Sequence, residues 1–302
     1  MEPPYAIGID LGGTRVKLAA VSEDGMVLER SAIGTWASAE RHWTEGIREA
    51  LCDLATRQGR APHWIGVGAP GLAAADRRSI ASHRGRFADL EGLRWDEALR
   101  AGARVVVTND AHAALLAEAW KGAAQGCRDA FLLTLGTGVG GAILSDRRVV
   151  HGHLGRAGHL GHICLDPDGP PTATSGMPGA LEDAIGNQTL ARRSEGHFTD
   201  TREMVAAHLA GDADASAVWL RSVRLLACGI ASLVNVLDPE VVVLGGGIAQ
   251  AGPALFEPLA REMATVEWRP LGKGVRIVPA ALGDIAGALG AACAAMHGGL
   301  PE

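Results

Sequence analysis

The chain has 302 residues, 47% hydrophobic, 21% charged and 4% aromatic, with a net charge of -6. That length exceeds what one hydrophobic core usually holds, so two lobes with a cleft between them are expected, and the apolar content excludes a mainly disordered chain. A negative total without a long basic run leaves no electrostatic footprint for nucleic acid or an anionic membrane. Cys52, Cys127, Cys164, Cys228 and Cys293 stand singly, with no C-x-x-C spacing, as in a reduced cytoplasmic protein. Met1 to Pro4 has neither the basic start nor the apolar core of a signal peptide. No uninterrupted apolar stretch approaches the roughly 18 residues of a membrane span. The 41 glycines fall after strands rather than at a fixed period, which suggests backbone approaching a ligand.

Residues 6–10 read as a strand, Leu11 to Thr14 as a turn, and RVKLAAV as an amphipathic returning strand, with a third strand over 26–33. The glycine pair Gly12-Gly13 suits any tight hairpin. Its company adds chemistry: Asp10 can orient hydrated Mg²⁺, Thr14 offers a hydroxyl, and the glycine amides can face an anion. A helix is expected over 39–58 and a strand over Trp64–Ala69, broken by Pro70-Gly71. Periodicity is weak over 72–99, which reads as a long connection lining the cleft mouth.

Next, VVV after Arg104 reads as a buried strand ended by Thr108-Asn109-Asp110, and AHAALLAEAWKGAA as the following helix. Asn109 or Asp110 can cap that helix. A carboxylate where a strand runs into a helix also lies at the sheet edge where open α/β proteins bind ligands, so Asp110 is a candidate catalytic base. A strand over Ala130–Leu135 leads into a second glycine turn, Gly136-Thr137-Gly138-Val139-Gly140-Gly141. Strand, glycine turn, strand repeats the logic of the N-terminus, as a duplicated fold would. Residues 151–176 read as loop, with His151, His153, His159 and His162 as either metal-binding or substrate-binding histidines. Pro178 to Glu182 starts a helix, with Pro178 in its first turn and Glu182 at the positive end. The longest helix covers 213–237. A strand over 240–244 meets Gly245-Gly246-Gly247 before a helix over 253–263, an arrangement that suits a nucleotide. A strand over 275–282 and an apolar helix over 284–296 close the chain.

The order DLGGT, GVGAPG, TNDAHAALLAE, TLGTGVGGAIL, AGHLGH, LVNVLDPEVVVLGGGI and LGDIAGALGAA resembles the ROK family of sugar kinases and repressors over nearly the whole chain. The resemblance implies an α/β, actin-like ATPase (ribonuclease H-like) fold whose two lobes enclose nucleotide and sugar. The expected lobes are residues 1–117 completed by the helix at 283–298, and residues 118–282. The implied reaction is transfer of the ATP γ-phosphate to a hexose hydroxyl, O6 foremost, with Mg²⁺ as cofactor. Asp110 falls on the family's base. Asn109, His162 and Glu182 fall on its sugar-holding residues, and Gly71 and His159 join that set. Asp10, Gly12, Gly13 and Thr14 match the first phosphate loop, Gly136, Thr137, Gly138 and Gly140 the second, and Gly245, Gly246 and Gly247 the adenosine site. A homodimer is implied, with no nucleic-acid or membrane partner.

Three departures stand out. Most members carry C-x-C-G-x-x-G-C-L-E after the G-H pair, a structural zinc site; here residues 173–182 read ATSGMPGALE, so no zinc of that type is expected. The usual A-G-E reads Ala157-Gly158-His159, which resembles some N-acetylmannosamine kinases and makes an N-acetylhexosamine the alternative substrate. His112 stands where Asn is usual after N-D-A, and Asp89-Leu90 where N-L is usual. A non-catalytic sugar sensor is the alternative of a different class, and polyphosphate the alternative donor.

Overall fold

The computed structural model describes residues 3–35, 43–83, 87, 89–171 and 175–301. Residues 39–42 of the expected first helix, and 173–174 of the run aligned with the cysteine motif, lie outside them. The chain divides into two compact units, one of Met1–Arg128, Ile143–Ala157 and Ala281–Glu302, the other of Asp129–Ala142 and Gly158–Ala280.

In the first unit β1 (Tyr5–Leu11), β2 (Arg15–Ser22) and β3 (Val27–Gly34) form the expected antiparallel meander, followed by helix α1 (Trp43–Arg57) and strand β4 (Trp64–Ala69). The stretch expected to be an irregular connection contains a short hairpin, β5 (Leu72–Ala73) and β6 (Ile80–Ser82), and a helix, α2 (Trp95–Leu99). Strands of two and three residues are too short for alternation to be legible. Trp95, fully buried and edge-on to Trp43, ties this stretch into the core. Next come β7 (Arg104–Asn109) and α3 (Asp110–Lys121), and the sheet order is β3-β2-β1-β4-β7, with β4 parallel to both β1 and β7.

Strand β8 (Ala130–Leu135), β9 (Val139–Ser145) and β10 (Arg148–Val149) precede short helices α4 (Leu181–Ile185) and α5 (Leu190–Arg193), then α6 (Thr201–Leu209) and α7 (Ala213–Leu237). Strand β11 (Val241–Gly245), helix α8 (Pro253–Val266), strand β12 (Arg276–Pro279) and helix α9 (Ala286–His297) complete the chain. The second sheet runs β10-β9-β8-β11-β12, with β11 parallel to β8 and β12. Both sheets therefore repeat one order, third-second-first-fourth-fifth, the duplication that the paired glycine hairpins suggested. By length and composition α7 could cross a membrane, yet half of its apolar window is buried in the protein. Its Trp219 is fully buried and donates to the Ala254 carbonyl at 2.9 Å, so α7 is built into the core of its unit.

Two expected boundaries move. Pro178 bridges Pro171, and α4 begins only at Leu181 after Ala180, so Pro178 stands ahead of the helix rather than in its first turn. The last strand covers only Arg276–Pro279, since only that segment pairs with β11.

Helix α9 is buried all round and packs on β1, β4 and α3 through backbone contact. A Cβ on Gly8 would lie 1.8 Å from the Ala288 carbonyl oxygen, one on Gly66 1.8 Å from that of Ala291, and one on Gly290 1.7 Å from that of Ala113. This explains the small residues of AGALGAACAA. Glu118, fully buried on α3, accepts from the amides of Ala123 (2.7 Å), Ala281 (3.1 Å) and Leu282 (2.9 Å), fixing the approach to α9.

Candidate active site

The strand-to-helix junction at Asp110 separates the two roles that the sequence left open. Asn109 is the N-cap, its Oδ1 accepting from the amides of Ala111 at 2.9 Å and His112 at 3.2 Å. Asp110 is the first helical residue, and one of its oxygens accepts from the Ala111 amide at 2.8 Å. Asn109 is thus the cap, and Asp110 adds a single bond to the Ala111 amide. Asn109 also donates through Nδ2 to the Gly71 carbonyl at 3.0 Å, and its side chain hydrogen-bonds the Asp110 carboxyl. Gly71 is glycine for local reasons: its φ is 102°, and a Cβ would meet the Ser82 carbonyl at 2.4 Å.

Burial raises the Asp110 carboxyl above the ordinary aspartate range, opposed by the amide hydrogen bonds and by the charge of His83. His83, unforeseen in the sequence, is itself pushed down by burial and pulled up by Asp110 and Glu91. It lies in the weakly periodic stretch, where nothing local marked it. Asp10 is pushed up to about 6, by burial first and then by the charge of Asp110, with Lys17 opposing and Asp284 adding. Its carboxylate sits on the first turn of α9, where a Cβ on Gly287 would come within 2.5 Å of Asp10 Cγ. Gly287 and Asp284 belong to LGDIAGALG, whose pattern was legible while their contact with Asp10 was not.

That crowding of carboxyls suits a cation, but among the described residues no three His, Cys, Asp or Glu side chains converge as metal ligands. His151 and His153 belong to the first unit, His159 and His162 to the second.

The glycine turns differ in which amides they offer. Gly12 donates to the Arg15 carbonyl at 3.1 Å and Gly136 to the Gly138 carbonyl at 3.0 Å, so these two amides are used inside their turns. Gly13 lacks a positive φ and has nothing within 4 Å of a Cβ position, so neither torsion nor packing requires glycine there. Gly13 and Thr14 in the first turn, and Thr137 and Gly138 in the second, are thus the amides that can face phosphate. Gly140 lies within β9. After β11, Gly246 takes φ 85° against the backbone of Leu135, and Gly247 opens a short 3₁₀ turn ahead of α8.

In the second unit Glu182 lies on α4, nine-tenths or more buried, and a Cβ on Gly138 would come within 2.7 Å of its Oε2. The second glycine turn thus rests on Glu182. Amides of Asn187 and Gln188 donate to the carbonyls of Gly136 and Thr137, both at 2.9 Å, and hold the turn. Arg193 clamps Gly186 from behind, donating to its carbonyl at 2.9 Å and to Ser222 at 2.6 Å. His162 Nδ1 is 3.7 Å from Glu182 Oε1, and the His159 ring stacks on His162 with centroids 6.3 Å apart. Burial and the neighbouring His162 push His159 down, so it is a neutral ring carrying one donor and one acceptor.

If Asp10 is the buried, crowded acid described here, replacing it should stabilise the fold. The folded chain retains its proton between about pH 4 and 6 while the unfolded chain has released it, so this group's contribution falls as pH rises through that window. Asp10→Asn is expected to gain about 2 kcal/mol above pH 7, after discounting for its partial exposure, and nothing below pH 4. Urea unfolding at both pH values measures this, and kinase activity in the same variant is expected to collapse.

A profile of the ROK family matches residues 6–297. A glucokinase from Halalkalibacterium halodurans is 32% identical, the match covering 96% of this chain and 94% of that protein. An N-acetylmannosamine kinase from Citrobacter koseri is 31% identical, with 81% and 84% covered. Among solved structures, a ROK hexokinase from Thermus thermophilus superposes with a TM-score of 0.82 at 34% identity, covering 96% of this chain and 97% of that one. A ROK glucokinase from Streptomyces griseus, in complex with glucose and AMPPNP, gives 0.76 at 29% identity, covering 96% and 99%. With duplicated sheets of one strand order and a match of this extent, the chain has the actin-like ATPase fold and belongs to the ROK family.

Proposed function

We propose that this chain is an ATP-dependent hexose kinase that transfers the γ-phosphate to a sugar hydroxyl, O6 foremost, in the manner of a glucokinase. The observation that carries this is the state of Asp110. Its carboxylate is buried, raised in pKa and relieved of helix capping by Asn109. A hexose hydroxyl is a poor nucleophile, and a carboxylate that accepts its proton during attack on phosphorus assists directly. Asn109, His159, His162 and Glu182 hold the sugar hydroxyls, and the amides of Gly13, Thr14, Thr137 and Gly138 hold the phosphates. Mg²⁺ bound with the nucleotide would neutralise charge on the phosphate oxygens, with Asp10 fixing its water shell. ATP as donor is supported by the AMPPNP complex of the Streptomyces griseus relative. The same reading includes a cytoplasmic homodimer, for which the mass in solution is the check.

One observation favours a second substrate class. His159 replaces the family's usual acid with a neutral ring, and such a ring tolerates an acetamido group where a carboxylate seeks hydroxyl donors. A coupled ADP-release assay with Mg-ATP against glucose, mannose, N-acetylglucosamine and N-acetylmannosamine decides between them. His159→Glu is expected to shift the kcat/KM ratio toward glucose by roughly tenfold, about what one exchanged polar contact brings. Sugar binding without turnover on either ATP or polyphosphate would instead make the protein a sensor.

A further inference from the structure

The first unit forms a half-open pocket of about 740 Å³ that none of the glycine turns lines. Arg77, Arg147 and Arg148 project at its wall with His151 and His297, and its one acid, Asp146, is paired with Arg128. In a chain of net charge -6, this is a local surplus of cations. Arg77 is the telling member. It sits at a positive φ of 54°, held by its carbonyl accepting from the Val107 amide at 2.8 Å, so its side chain is committed to this wall. One guanidinium nitrogen donates to the Gly298 carbonyl at 3.2 Å, while the buried Nε has no partner among the described residues. Burial and the charge of Arg104 push Arg77 down, and burial first and then the charge of Arg77 push His151 down. A buried cation facing further cations is costly unless an anion is gathered there. Arg148, exposed on the β10 edge, makes no side-chain ion pair among the described residues. At the end of α9 the Gly298 amide caps the Ala294 carbonyl, and Arg77 donates to the Gly298 carbonyl.

We propose that this cavity binds the phosphate ester of a small metabolite, its phosphate held by Arg77 and Arg148. Guanidinium forks match the oxygens of a multiply charged phosphate, and the volume, well above that of a phosphate ion alone, falls within the range of small-molecule pockets. The site is separate from the phosphate-loop residues, so it serves neither the donor nor the reacting product.

Calorimetric titration of the full chain, saturated with AMPPNP and sugar to fill the catalytic site, tests this with glucose 6-phosphate and inorganic phosphate in separate runs. Saturable binding is expected, tighter for the ester, weakened at least about tenfold in Arg148→Gln and in Arg77→Met, and unchanged in Arg156→Gln. Arg148 is exposed, so its variant keeps the fold and the basal kcat even if Arg77→Met does not. No binding up to about 10 mM, binding by both cavity variants as tight as by the wild type, or tighter binding of inorganic phosphate than of the ester would each overturn the proposal.

Discussion

Asp110→Asn is expected to lower kcat on the preferred sugar by about 10²- to 10⁴-fold while leaving sugar KM nearly unchanged and the melting temperature close to wild type. The fold survives because Asn109 accepts from the amides of both Ala111 and His112, and an asparagine at 110 keeps an oxygen for the one Ala111 amide that Asp110 also accepts. The kinetic split follows because proton acceptance matters only as the hydroxyl attacks, whereas ground-state binding rests on other side chains. In the wild type, kcat/KM should fall as pH drops through the raised pKa of Asp110, with Asp10 at about 6 titrating beside it as a coupled pair. The acidic limb is therefore expected above the range of an ordinary aspartate, and a pH profile of both constants measures it. An unchanged kcat in Asp110→Asn would remove the general base from the mechanism.

A large structural effect is expected at Gly66. An alanine there places Cβ 1.8 Å from the Ala291 carbonyl oxygen, and the obstacle is helix backbone that no rotamer change can move. Helix α9 must shift, at a cost of roughly 3 kcal/mol or more, which for a chain of this size lowers the melting temperature by about 6 to 12 °C. The shift also carries Gly287 away from Asp10, so activity per folded molecule should fall as well. Gly13→Ala is the contrasting case. A Cβ there meets nothing within 4 Å, so thermal unfolding should stay near wild type while KM for ATP rises through obstruction of the phosphate. Circular-dichroism melts and ATP kinetics on the two variants separate packing glycine from binding glycine. Equal melting temperatures in the two would contradict the packing account.

These two glycines also illustrate how much was legible beforehand. The hairpin around Gly12-Gly13 was clear from spacing, and so was its duplicate at Gly136 to Gly141, because a two-residue period broken by glycine is a local signal. Asp110 could be placed at a strand end, yet whether it or Asn109 capped the helix required the hydrogen bonds themselves. Contacts between distant segments left no trace. Asp10 against Gly287, Glu182 against Gly138, and His83 beside Asp110 each join residues far apart in sequence, and no periodicity encodes such pairings. The hairpin inside 72–99 was hidden by its brevity, and the start of α4 by a proline that pairs with Pro171 instead of opening the helix.

The most direct test of the central claim is the ³¹P NMR spectrum of the wild-type chain incubated with Mg-ATP and glucose, then with N-acetylmannosamine. The account predicts a sugar phosphomonoester resonance growing in step with ADP, coupled to the protons on carbon 6, and absent with Asp110→Asn. ATP left intact in the presence of every sugar, or split to inorganic phosphate without an ester, would contradict it.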